Sequence, residues 1–116
     1  MQITTVPVIH TIDRDELKAR LDRGEPLQLV LVHGEWAYHL CRIPGSRIFT
    51  SLEAALAALR PDEEIVVYCT GNPCPASAIA YRLLAERGYS RVRRYPGGLA
   101  DWHAAGYPLE GEDGCL

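Results

Sequence analysis

The stretch EIVVYCTGNPCPASAIAYRLLAERG, residues 64–88, decides the fold. After Glu64 come five apolar residues, three of them β-branched, entered from a charged turn, and the run reads as a strand buried on both faces. Gly71, Pro73 and Pro75 then break the pattern. From Ala76 the apolar positions Ile79 and Leu83, with flanking alanines, recur at helical spacing until Gly88. Strand, short loop and helix therefore follow one another directly. Cys69 stands at the end of the strand, and Cys74 stands in the loop.

The same alternation extends in both directions. Asp13 and Glu16 have the spacing of a helix N-cap and its third residue, Leu17 and Leu21 share a face, and Gly24 can stop that helix. LQLVLV, residues 27–32, reads as a second buried strand. IPGS, residues 43–46, is a turn, and Thr50 with Glu53 predicts a capping box before LEAALAAL, which Pro61 ends. RVRRY is a short strand, GGLADWHAAG a short final helix, and a poorly marked strand is expected near residues 6–10. The expectation is a single α/β domain over residues 1–116, with a core of about 6–110 and a polar tail over 110–116.

Bulk properties bound the function. A chain of 116 residues can bury on the order of two-thirds of its unfolded surface without disulfides. A net charge of −3 gives no electrostatic case for nucleic acid, and Arg91, Arg93 and Arg94 read as a solvated strand edge. No apolar run approaches the length of about 20 residues that spans a bilayer, and the first residues lack a secretory pattern. The expectation is a cytoplasmic protein with reduced thiols, no membrane partner, no cofactor and no metal. Cys115, in the tail, reads as incidental.

A cysteine at the carboxyl end of a central strand, before a helix N-terminus, is placed for chemistry. Ligands of open α/β sheets bind at that edge, and the helix end offers unpaired N–H groups and partial positive charge. A loop curling there forms an anion nest from Thr70, Gly71, Asn72, Pro73, Cys74 and Pro75. Such surroundings lower a thiol pKa from about 8.5 to roughly 3.5–7.5. A buried structural cysteine remains the alternative at this point.

Three stretches resemble the single-domain rhodaneses, a family of sulfurtransferases. CRIPGS resembles a turn that is usually Gly-His-Ile-Pro-Gly-Ala, VVYCTGNPCPAS the strand and six-residue loop of the nucleophile, and YPGGLADWHAAGYPL the terminal signature through Gly97, Gly98, Trp102, Gly106 and Pro108. The resemblance implies a mainly parallel sheet of about five strands with helices on both faces. It implies Cys69 as the nucleophile, which takes sulfur from a small donor such as thiosulfate or a persulfide and passes it to a thiol or protein acceptor. Two departures stand out. Cys74 occupies the loop position where many members carry Arg or Lys, and Leu31, Val32 and His33 occupy the place of a usual Asp-x-Arg. The related cysteine phosphatases use a loop one residue longer that ends in arginine, which disfavours that chemistry.

Cys74 has several readings: a resolving thiol for Cys69, a small packed residue in the arginine's place, or a ligand for a soft metal such as arsenic(III) or copper(I), with structural zinc less suited. His33 and Arg42 are candidate auxiliary cations. Two other functions stand beside sulfur transfer. One is a non-catalytic rhodanese-like binding or sensor module, and the other a dithiol redox or arsenic-linked protein using Cys69 and Cys74.

Overall fold

The structure is a computed structural model and describes residues 9–32, 39, 41–49, 51–71 and 75–111. Asp13 starts the first helix as expected, its Oδ1 accepting from the Glu16 N–H at 2.8 Å. That helix, α1, runs Arg14–Asp22 and buries Leu17 completely. Strand β1 (Gln28–Leu31), helix α2 (Leu52–Ala58), strand β2 (Ile65–Tyr68), helix α3 (Ala76–Glu86), strand β3 (Val92–Tyr95) and helix α4 (Gly98–Ala104) follow in order.

The three strands are parallel in the order β1-β2-β3, so the strand that leads to Cys69 is central. All four residues of β2 are buried, which is why its sequence is apolar on both faces. Leu29, Leu31, Val66, Tyr68 and Tyr95 face α1 and α4 and pack with Leu17, Leu99 and Trp102. Val30, Ile65, Val67 and Val92 face α2 and α3 and pack with Tyr81 and Leu84. Helices thus cover both faces.

The expected sheet of about five strands is corrected to three among the described residues. Each edge instead carries one parallel bridge, Thr11 to Arg94 and Val30 to Arg47. The second is short for a local reason: Arg47 has only a few residues between the turn at Pro44–Gly45 and the helix cap at Ser51. On the other edge the Arg94 N–H donates to the His10 carbonyl at 2.8 Å, and Asp13 opens α1 almost at once. Residues 6–8 of the expected first strand lie outside the described residues.

Helix α2 also departs from expectation at both ends. Its N-cap is Ser51, whose hydroxyl accepts from the Ala54 N–H at 3.1 Å, and Thr50 lies outside the described residues. It stops at Ala58, before Pro61. Leu59 turns extended and is held there by the Tyr89 hydroxyl, which donates to its carbonyl at 2.6 Å. Arg60, directly before the proline, is disfavoured in the helical region in any case.

Candidate functional site at the end of the central strand

Cys69 follows β2 directly and is 2% exposed. Its Sγ lies 3.8 Å from the Thr70 hydroxyl. The loop that begins there is pinned from one side by α4. The Leu99 N–H donates to the Cys69 carbonyl at 3.1 Å and the Ala100 N–H to the Thr70 carbonyl at 2.9 Å. These amides belong to the first turn of α4, where no partner exists inside the helix. The loop carbonyls complete them.

That docking depends on Gly98, whose φ is +61°. A β-carbon there would overlap the Cys69 carbonyl oxygen and lie 2.8 Å from the Gly71 nitrogen. The paired glycines, read from sequence only as part of a resemblance, thus have a local physical purpose: they bring α4 into backbone contact with the cysteine loop.

Helix α3 begins on the other side of the loop. Pro75 is its N-cap and provides no side-chain cap. Ser77, 1% exposed in the first turn, instead accepts from Arg94 Nε at 2.8 Å. Of the basic cluster at β3, Arg91 and Arg93 keep solvent exposure, and Arg94 departs from the expected solvated edge. Arg93 pairs with Glu16 at 2.7 Å, Arg91 donates to the Asp62 carbonyl at 3.2 Å, and Arg94 reaches the start of α3. Alternation along VRRY was the missed signal, because Val92 is buried on the α3 side and Arg94 shares its face.

The turn ahead of the site is anchored by a buried network. The Tyr68 hydroxyl accepts from the Ile43 N–H at 3.1 Å and lies 2.5 Å from Ser46 Oγ, which donates to the Ile43 carbonyl at 2.6 Å. Because the serine proton goes to that carbonyl, Tyr68 is the donor to Ser46. Behind α4, Tyr95 donates to Asp101 at 2.6 Å, and Arg14 holds the other oxygen of that carboxylate at 3.1 Å. Burial, then the bond to Asp101, pushes the Tyr95 phenol well above its ordinary range.

The remaining sequence candidates fall as follows. Thr70 and Pro75 are exposed. Gly71 is half-buried, and a β-carbon on it would meet the Ala100 β-carbon at 3.4 Å. Arg42 forms an antiparallel bridge with Glu110, and its guanidinium lies 3.5 Å from that carboxylate. His33, Asn72, Pro73, Cys74 and Cys115 lie outside the described residues. The expectation of reduced thiols is corrected: Cys41 and Cys69 are each disulfide-bonded, and no described cysteine is free. Both residues are buried, at 5% and 2% exposure. Among the described residues no cluster of three metal-ligating side chains forms, and no helix is long and apolar enough to cross a membrane.

A strand-end cysteine, a loop gripped by a paired-glycine helix and a following helix match one family over most of the chain. The family model of the rhodanese-like domain matches residues 13–105. The chain belongs to the rhodanese-like domain family. Solved structures agree. A structure of the Alr3790 protein from Anabaena sp. shares 31% identity at a TM-score of 0.79, covering 86% of this chain and 91% of that one. The BH2092 protein from Bacillus halodurans shares 26% at 0.81, covering 88% and 77%. A rhodanese-like domain protein from Staphylococcus aureus shares 25% at 0.73, covering 90% and 100%. No curated protein matches. Rhodanese-like domains as a class interact with sulfur donors and acceptors.

Proposed function

We propose that this rhodanese-like protein is a sulfurtransferase that carries sulfur as a persulfide on Cys69. The observation that carries the reading is the position of Cys69, at the carboxyl end of the central strand, on a loop held by the first amides of α4 and continued by the uncapped start of α3. Amides and helix ends of this kind favour an anion on the sulfur. A thiol reductant first opens the disulfide and frees the Cys69 thiolate. The thiolate attacks the outer sulfur of a donor persulfide, R–S–SH. The Cys69 S–S bond forms, the donor S–S bond breaks, and its electron pair leaves on RS⁻. An acceptor thiolate then attacks the outer sulfur on Cys69 and restores the Cys69 thiolate. Small donors and thiol or protein acceptors are the partners this requires.

The test is the intact mass of reduced protein after incubation with a persulfide donor. A gain of one sulfur atom, absent in Cys69→Ser, is the expected result. No gain with any donor refutes the reading. The disulfide at Cys69 favours a second reading, a dithiol redox protein. In that case the reduced protein loses two hydrogens on exposure to the donor and retains no sulfur.

A further inference from the structure

The sequence holds four cysteines, and Cys41 and Cys69 are each disulfide-bonded. The fold keeps these two apart. Ile43 packs with Leu29, Val66, Tyr68 and Tyr95 on the sheet face that α1 and α4 cover. Its N–H donates to the Tyr68 hydroxyl, at the far end of that side chain. Cys41 belongs to the same side, because its neighbour Arg42 pairs with Glu110 and Leu109 packs against the same cluster. Cys69 follows Tyr68, so strand alternation turns its side chain to the other face, with Val67. A disulfide joins residues whose Cα atoms are about 4.4–6.8 Å apart and whose β-carbons face each other. On opposite faces of the central strand, Cys41 and Cys69 do not meet that condition. They belong to two separate bridges, and Cys74 and Cys115 are the partners that remain.

The chain after α4 returns to Cys41. Trp102 Nε1 donates to the Pro108 carbonyl at 2.8 Å, and the Tyr107 ring stands edge-on to Trp102 with centroids 5.0 Å apart. Glu110 then reaches the turn. It exchanges both backbone hydrogen bonds with Arg42, at 2.8 and 2.9 Å, and its carboxylate accepts from the Gly45 N–H at 3.1 Å. In this antiparallel register Gly111 stands opposite Cys41. Cys115 follows four residues later, and one tight turn, whose ends approach within about 7 Å, returns it to Cys41. Cys74 is tied to the other face. Two residues on, Ala76 opens α3 beside Val67, and two residues span at most about 7 Å.

We infer that Cys41 is bonded to Cys115, and that this disulfide is a redox-sensitive latch on the strap formed by residues 107–110. The inference is independent of sulfur transfer at Cys69. A low-molecular-weight disulfide, RSSR, closes the latch. The Cys115 thiolate attacks it and one RS⁻ leaves. The Cys41 thiolate then attacks the Cys115 sulfur of the mixed disulfide, and the second RS⁻ leaves with its electron pair. One RSSR is reduced to two thiols, and the protein loses two hydrogens. A dithiol reductant reverses both steps. Opened, the strap keeps only its noncovalent contacts with Arg42, Gly45 and Trp102.

The first arm of the experiment digests the full chain with trypsin after oxidation by a low-molecular-weight disulfide, with no reductant added. Cleavage after arginine puts Cys41 on the peptide 24–42, Cys115 on 95–116, and both other cysteines on 48–82. The expected product is 24–42 linked to 95–116, with 48–82 linked to neither. A link from 48–82 to either peptide, or no link between 24–42 and 95–116, overturns the pairing. The second arm follows amide exchange at Arg42 and Glu110 in the oxidised parent and in Cys115→Ser. Loss of the latch is expected to speed exchange there by roughly two- to tenfold, the worth of one backbone hydrogen bond, while exchange in β2 is unchanged. Equal exchange at Arg42 and Glu110 in the two proteins overturns the latch.

Discussion

Replacing Gly98 by alanine tests whether α4 shapes the cysteine loop. Two costs follow from the structure. A residue with a β-carbon at φ +61° pays about 1–2 kcal/mol for the left-handed conformation. The new β-carbon also overlaps the Cys69 carbonyl and crowds the Gly71 nitrogen. Those are backbone atoms, so no rotamer change relieves the clash, and the loop or the helix has to move. Movement breaks the Leu99 and Ala100 bonds to the loop carbonyls, each worth about 0.5–1.5 kcal/mol. The total is about 2–5 kcal/mol, against a domain stability of about 5–15 kcal/mol. Gly88→Ala is the control. Gly88 also has positive φ, at 88°, but nothing lies within 4 Å of where its β-carbon would stand, so only the conformational cost applies. Urea unfolding of both variants, with the slope compared to the parent, reads the stability difference. Sulfur uptake by the folded fraction reads the site. If Gly98→Ala unfolds at the same urea concentration as Gly88→Ala and takes up sulfur at the parent rate, the docking of α4 on the loop is not what the two hydrogen bonds imply.

Tyr68→Phe is expected to cost about 1–3 kcal/mol in urea, because it leaves the buried Ile43 N–H without its acceptor; a loss below a few tenths would show that the turn repairs itself. Glu64 accepts from Arg20, and that hydrogen bond holds its carboxyl below the ordinary value of 4.5. The depressed folded-state pKa means its contribution is present above about pH 4.5 and is lost as the pH falls through the folded value. Glu64→Gln should therefore be less stable than the parent at neutral pH, with the gap closing in acid; a constant gap from pH 7 to pH 3 on the order of the assay error would contradict the pairing. Thiosulfate, a dianion, should bind the protein poorly, and Cys74→Arg should improve its binding by roughly ten- to a hundredfold, the value of one charge-assisted contact; tight parent binding that the substitution leaves unchanged would refute this.

The central strand, the place of Cys69 at its end and the helix that starts at Ala76 were legible in the sequence because three periodicities meet there without conflict. A run buried on both faces, a glycine- and proline-bearing break and a helical repeat each have their own chemistry. Asp13 was legible for a similar reason, since a cap is a contact between near neighbours. The sheet edges were not. Whether Arg47 forms a full strand or one bridge depends on how soon Ser51 captures the next helix, and that is settled by packing. Arg94 was misread because composition joins it to Arg91 and Arg93, whereas strand alternation sends it to the α3 face and Ser77. The disulfides at Cys41 and Cys69 were not legible because bonding depends on distance in the fold, which spacing does not give.

The two helix ends beside Cys69 act differently, and the difference explains why one glycine matters. In a planar trans peptide the carbonyl and the next N–H point in opposite directions. The first amides of α4 draw the Cys69 and Thr70 carbonyls towards that helix. The N–H groups of Thr70 and Gly71 must then point to the opposite side of the loop. Helix α3 follows from Pro75 without a side-chain cap, so its own end adds positive potential rather than consuming it on a neighbouring side chain. The positive ends of α3 and α4 therefore do not simply add. Helix α4 spends its donors on orienting the loop, and the loop converts that orientation into donors of its own. A residue that keeps α4 from docking should weaken an anion on Cys69 by rotating peptides, even where every charge in the chain is retained.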